Sequence, residues 1–213
     1  MIVHGSSLSP FVRKVLVFAA EKALMLENVP VGVGPKSPEF LAMSPFGKIP
    51  AFEDGDFHLC DSSAIVHYLD AKYPEPALIP AEARARGRAV WFDEYADTIM
   101  FAAAAPIFFN RVVMKLMGKE GDLAAAAKAE AEALPPVLDY LDGVIPDSGF
   151  LVEDRFTLAD VAVASPFANF SHAGVTIDPA RHPKVAAYAT AMLARPSFAA
   201  VVAKEKAFLG RGG

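Results

Sequence analysis

The sequence carries a single cysteine, Cys60, among 213 residues, which rules out an intramolecular disulfide framework and a cysteine-rich metal site and fits a reducing compartment. It also lacks a dominant charge: 20 Lys and Arg stand against 25 Asp and Glu, a net of -5, and the basic residues are scattered. No counterion-releasing nucleic-acid surface is expected from that pattern. Long hydrophobic runs are missing too. The longest, Ile99 to Phe109, contains Pro106 and stops well short of the ~20 residues that cross a bilayer, so no membrane helix and no membrane partner is expected. Met1-Ile2-Val3-His4-Gly5 shows no basic region leading into an apolar stretch and a cleavage site, so no export signal is read and the expected location is cytoplasmic. The histidines His4, His58, His67, His172 and His182 lie at unrelated spacings, and no metal site is expected from them.

What is present is apolar: 54% hydrophobic residues against 21% charged can bury a sizeable core. Ile2 and Val3 before a Gly/Ser cluster read as a short strand, followed by a helix from Pro10 to Ala23. Ser9-Pro10 marks its start, because Ser is a good N-cap and Pro at the first helical position loses no needed hydrogen bond. After a Gly/Pro-punctuated stretch, Val29 to Pro38, come a short helical piece, Glu39 to Met43, and a hairpin. Ile49 to Phe52 and Phe57 to Cys60 form its arms around Asp54-Gly55-Asp56. A helix then runs from Asp61 to before Pro74.

Pro74, Pro76 and Pro80 mark a linker near residues 74 to 82. Beyond it the chain is Ala-rich and reads as helices over Ala83 to Phe109, Gly121 to Leu141, Leu158 to Phe170 and His182 to Leu193. In Phe156-Thr157-Leu158-Ala159-Asp160-Val161, Thr157 can cap a helix, Asp160 can reach back, and Phe156 can staple against Val161.

Three segments could carry chemistry, and each also has a plain structural reading. Ser6, Ser7 and Ser9 sit where backbone N–H groups and a helix dipole favour negative charge, or else Ser9 only caps its helix and the others fill a turn. Ile49-Pro50 is either a cis bond presenting the Ile49 backbone to a cleft or an ordinary proline at a strand start. Asp61 and Ser62 can bind the ammonium and carboxylate of an amino-acid end, or simply cap a helix. No G-x-S-x-G elbow supports seryl nucleophilic catalysis.

Taken in order, three stretches resemble the glutathione transferase family, closest to its serine-type, plant phi-like members. They are Ser9-Pro10-Phe11-Val12-Arg13-Lys14-Val15, Lys36-Ser37-Pro38-Glu39-Phe40, and the run Ser44 to Ile65. The likeness is dense over the first 73 residues and looser beyond, where Phe156 to Val161 carries it. Departures are Pro35 where a histidine is common, Asp61 for Glu and Ser44 for Asn.

The resemblance implies an α/β thioredoxin-like domain over 1–76 and an all-α domain over 84–208, usually in a homodimer. It implies glutathione as co-substrate, with Ser9 donating a hydrogen bond that favours thiolate over thiol and is not itself alkylated. Ile49 would pair through its backbone with the cysteinyl part, Pro50 would be cis, Asp61 and Ser62 would hold the γ-glutamyl end, and Phe11 joins these contacts. Lys36 and Lys48 would face the glycine carboxylate. Met100, Phe101 and Phe108 are candidates for an apolar co-substrate pocket, with core packing as their plain reading. The implied reaction adds glutathione to a small electrophile. The alternatives are glutathione-dependent isomerisation, ether or halide cleavage, and a non-catalytic binding or interaction protein on the same fold. Which of Ser6, Ser7 and Ser9 acts stays open.

Overall fold

The computed structural model describes residues 1–210, and the chain divides into two compact units, Met1–Ile79 and Pro80–Gly213. In the first, β1 (Ile2–His4), α1 (Pro10–Glu21), β2 (Glu27–Val29), α2 (Pro38–Met43), β3 (Ala51–Asp54), β4 (Phe57–Cys60) and α3 (Ser62–Lys72) follow one another. The sheet order is β2-β1-β3-β4, with β1 and β2 parallel and the other neighbours antiparallel. Parallel neighbours need a crossover, and α1 supplies it. Its apolar face, with Val12, Val15 and Phe18, is buried together with Val3 and Phe52 of the sheet and Ile65, Val66 and Leu69 of α3.

β2 is absent from the sequence reading because Glu27-Asn28-Val29 has no alternation to show. Pairing defines it instead, and Asn28 Nδ2 donates to the carbonyls of Val3 at 3.0 Å and Gly5 at 2.9 Å. Past the C-terminal end of α1, the Lys22 ammonium is wholly buried. It donates to the carbonyls of Tyr73 at 2.8 Å and Pro76 at 2.7 Å and lies 2.7 Å from Asp70 Oδ1. One cation thus pins the segment after α3 onto α1, and its hydrogen bonds offset part of its desolvation.

The second unit is helical. Ala83–Leu116 is one continuous 34-residue path, made of α4 (Ala83–Glu94), a π-helical stretch (Tyr95–Met100), α5 (Phe101–Phe108), a second π stretch (Phe109–Val113) and α6 (Met114–Leu116). Pro106 therefore does not end the helix. By length and composition the path contains an 18-residue window, of mean hydropathy 1.5, apolar enough to cross a bilayer, a test that the core helix of a folded domain also passes. Its Met100, Ala103, Ala104 and Ile107 are core residues. Asn110, in the second π stretch, donates to the Pro106 carbonyl at 2.8 Å and accepts the Asp122 N–H at 2.9 Å, tying the next connection to the helix.

The path continues through α7 (Leu123–Lys128), a third π stretch (Ala129–Ala133) and α8 (Leu134–Val144), then α9 (Leu158–His172), α10 (Pro183–Leu193) and α11 (Pro196–Gly210). The sequence reading did not separate α11. Helix α9 is buried on all sides from Leu158 to Phe170, as expected for a central helix. A capping box between Thr157 and Asp160 opens it. Asp160 accepts the N–H groups of Thr157 and Leu151, each at 3.0 Å, and the Tyr188 hydroxyl at 3.2 Å. Burial pushes its carboxyl up to about 6 against the pull of those donors. Phe156 is buried under the Arg195 guanidinium, 3.8 Å from the ring centroid.

Candidate active site

The register of the sheet decides where the singled-out residues lie. His4 pairs with Ala51, and Ala51 pairs with Cys60 on its other side. The C-terminal ends of β1 and β4 and the N-terminal end of β3 therefore share one rim. From that rim Gly5 to Ser9 leads into α1, Ile49-Pro50 leads into β3, and Asp61-Ser62 leads into α3. Three segments far apart in sequence are brought to one edge. The N-termini of two helices, 12 and 11 residues long, open there as well, which favours negative charge.

Ser9 is the N-cap of α1, with extended backbone (φ −72°, ψ 127°), Pro10 after it and its carbonyl accepting the Arg13 N–H at 2.9 Å. Its hydroxyl makes no capping hydrogen bond. The plain reading of Ser9 as a side-chain cap is thereby set aside, and the half-buried hydroxyl is left for another partner. Ser6 behaves differently, since its Oγ accepts the Leu8 N–H at 3.4 Å within the turn. Phe11 is half-buried in the first turn of α1.

The Ile49-Pro50 bond is cis. Ile49 is half-buried and stands before β3, and among the described residues its N–H and C=O take part in none of the turn, loop or cap hydrogen bonds. On the other side, Asp61 caps α3 by accepting the Ala64 N–H at 3.0 Å, so the plain reading holds for that oxygen. Its φ of 85° is a costly conformation for a residue with a Cβ. Such conformations persist where surrounding structure enforces them and concentrate at ligand sites. Ser62 follows at the first helical position, 2% exposed. Cys60, just before, is half-buried rather than fully buried.

The two lysines are less committed. Lys36 donates to the Gly32 carbonyl in its own loop and lies 5.9 Å over the Phe40 ring, while Lys48 is exposed and its carbonyl accepts the Ser44 hydroxyl at 2.7 Å. In the helical unit, Phe101 and Phe108 are half-buried. Met100 is 0% exposed, which corrects its assignment to a pocket wall: it packs in the core. Sequence reasoning also passed over Lys14 and Ser63, whose side chains meet at 3.1 Å. The signal was a lysine between Val12 and Val15 on a helix face that is otherwise core.

Comparison with known proteins decides the family. Residues 3–77 match the N-terminal domain of glutathione S-transferase and residues 96–196 its C-terminal domain. Glutathione S-transferase 3 of Zea mays is 37% identical over 210 residues, covering 94% of this chain and 92% of that protein. The chain belongs to the glutathione S-transferase family. A solved structure of glutathione S-transferase III in apo form superposes with a TM-score of 0.80 at 36% identity over 95% of both chains. Glutathione S-transferase I from maize, solved in complex with an atrazine glutathione conjugate, gives a TM-score of 0.80 at 26% identity, covering 95% of this chain and 96% of that one. The protein is thus a phi-like glutathione transferase, with a thioredoxin-like N-terminal unit and a helical C-terminal unit.

The family uses glutathione as co-substrate. Glutathione presents carboxylates, an amide backbone and a thiol. The rim offers two helix N-termini, the backbone of Ile49 and a serine hydroxyl not used for capping.

Proposed function

We propose that this glutathione transferase conjugates the thiolate of glutathione to small apolar electrophiles, and that Ser9 stabilises the thiolate. The observation that carries the reading is the hydroxyl of Ser9, unused by its own helix and placed on the rim that also holds Ile49-Pro50 and Asp61-Ser62. Bound glutathione supplies the nucleophilic sulfur. A free thiol titrates near ~8.5, so a hydroxyl that donates to the anion and a helix N-terminus behind it raise the thiolate fraction at neutral pH. Ser9 donates without being consumed, and its proton stays on its own oxygen.

Ser62 and the first N–H groups of α3 hold the γ-glutamyl carboxylate in this reading, and Asp61 offers its carboxylate to the ammonium. Ile49 pairs with the cysteinyl amide, with Phe11 beside it, and Lys36 and Lys48 serve the glycine carboxylate. Phe101 and Phe108 remain candidates for the apolar pocket. A cytoplasmic homodimer without membrane or nucleic-acid partners completes the proposal. Phe46, 88% exposed on the turn after α2, supports a second copy as the cover for an aromatic otherwise left in water.

Calorimetric titration of glutathione into the parent, Ser9→Ala and Ser62→Ala, together with ultraviolet titration of the bound thiol, tests the site. Expected are binding lost in Ser62→Ala and a thiol pKa depressed in the parent but returned toward ~8.5 in Ser9→Ala. A parent that does not bind millimolar glutathione, or a bound thiol indifferent to Ser9→Ala, overturns the reading.

A further inference from the structure

In the helical unit, α8, the segment after α9 and the residues leading into α10 line a cleft of about 220 Å³ that the glutathione reading does not use. Leu134 and Leu138 of α8 give it an apolar wall, together with Val175 and Ile177 of the segment after α9. That segment is neither helix nor strand. Among the described residues, the N–H and C=O groups of Thr176 and Ile177 take part in none of the turn, loop or cap hydrogen bonds. Glu130 lines the cleft as well. Its Oε2 holds the Arg111 guanidinium, which also donates to the Ala173 carbonyl at 3.3 Å, while its Oε1 has no partner among the described residues. Both members of that pair stand on π stretches, Arg111 on the second and Glu130 on the third. Such turns are rare and fall frequently at functional sites.

The polar groups around the cleft favour one sign of charge. Asp178 spends Oδ1 on the Ala180 N–H at 2.9 Å and keeps Oδ2 open among the described residues. Arg181 is the guanidinium in the lining, and Asp139 occupies it through Nε at 3.2 Å and Nη2 at 2.9 Å. His182 Nε2 also meets Asp139, at 2.7 Å. These contacts hold the Asp139 carboxyl below its usual range, so it stays an anion and keeps that guanidinium. An anionic ligand therefore finds its cation taken, whereas an ammonium finds two carboxylate oxygens and the carbonyls of Thr176 and Ile177 unspent. The apolar wall selects for a carbon body, and the volume, below the ~300 to 1,000 Å³ of drug-sized sites, for a small one.

We propose that this cleft is a further ligand site, which takes a small primary amine carrying one apolar group of the size of a phenyl ring. The ammonium donates to Glu130 Oε1 and the loop carbonyls, and the ring lies against Leu134, Leu138 and Ile177. An occupant held this way ties α8, the third π stretch and the segment after α9 together, and it stabilises the helical unit in proportion to its occupancy.

The test titrates 2-phenylethylamine, 2-phenylethanol and 3-phenylpropionate into the full chain by calorimetry, for the parent, Glu130→Gln and Asp178→Asn. The amine is expected to bind the parent about tenfold more tightly than the alcohol, with the acid weakest. Glu130→Gln keeps an acceptor and loses the charge, so it lowers amine affinity about tenfold and leaves the alcohol unchanged. Asp178→Asn lowers amine affinity by a smaller factor. No amine binding in the millimolar range, a preference for the alcohol or the acid, or parental amine affinity in Glu130→Gln overturns the site. Should Glu130→Gln unfold with the loss of the Arg111 pair, undiminished amine affinity in Asp178→Asn overturns it instead. With glutathione at saturation the amine affinity stays at its parental value, and displacement of the amine by glutathione overturns the assignment. A parent that binds the amine but not glutathione supports this site and overturns the glutathione reading alone.

Discussion

Gly5 lies against Ile49 so closely that a Cβ built on it would come within 3.1 Å of Ile49 Cβ and 2.6 Å of Val12 Cγ2. With φ at 151°, the position is also strained for any other residue. The end of β1, the first helix and the segment before β3 therefore share one contact that has no room for a methyl group. Gly5→Ala should cost about 1 to 3 kcal/mol in denaturant unfolding and weaken glutathione binding along with it. Parental affinity in a folded Gly5→Ala protein would show that Ile49 can shift without consequence.

Two cap serines separate structure from function. Ser37 accepts the Phe40 N–H at 3.2 Å at the start of α2, whereas the Ser9 hydroxyl caps nothing. Ser37→Ala is expected to lose about 1 kcal/mol of stability, and Ser9→Ala to stay within about 0.5 kcal/mol of the parent while losing activity. Urea melts of both variants beside a conjugation assay make the comparison.

The Lys22 clasp is a stability element. Replacing Lys22 by Met removes the donor from two carbonyls and leaves Asp70 without its 2.7 Å cation. A loss of about 3 kcal/mol is expected in chemical denaturation. A loss below about 1 kcal/mol would mean that water replaces the ammonium at low cost.

Asp160 sets a pH dependence of unusual sign. Its carboxyl titrates at about 6 when folded and near 3.8 when unfolded, so between those values the folded chain holds a proton that the unfolded chain has released. Stability from this group is full below the unfolded value and is lost as pH rises through the folded one. Relative to Asp160→Asn, the parent should gain on the order of 3 kcal/mol as pH falls from about 7 to about 4. Melting curves of both proteins across that range check it, and a difference that stays flat removes the inference.

Much of the fold could be read from the chain because its punctuation is chemical. Ser9-Pro10 opens α1, Asp54-Gly55-Asp56 turns the hairpin, and Thr157 with Asp160 opens α9, each within a residue or two of where the sequence put it. β2 escaped because three residues paired through Asn28 carry no period. The π stretches escaped because nothing local announces an extra residue per turn. Among site residues, Ser9 was visible, but whether its hydroxyl capped the helix was a matter of geometry. Asp61 was visible, and its positive φ was not. Met100 was misplaced because a methionine on an apolar helix face looks the same whether the face meets a ligand or a core. Lys14 was missed because sequence gives its charge and not its burial.

The sheet has a second rim, where Asp54, Gly55 and Asp56 turn the hairpin, and no segment assigned to glutathione leaves from it. The proposed chemistry and the chain reversal thus lie at opposite ends of short strands. A fluorescent tag inserted at Gly55, where nothing lies within 4 Å of an added Cβ, would therefore sit at the far end of the strands from the rim proposed for glutathione.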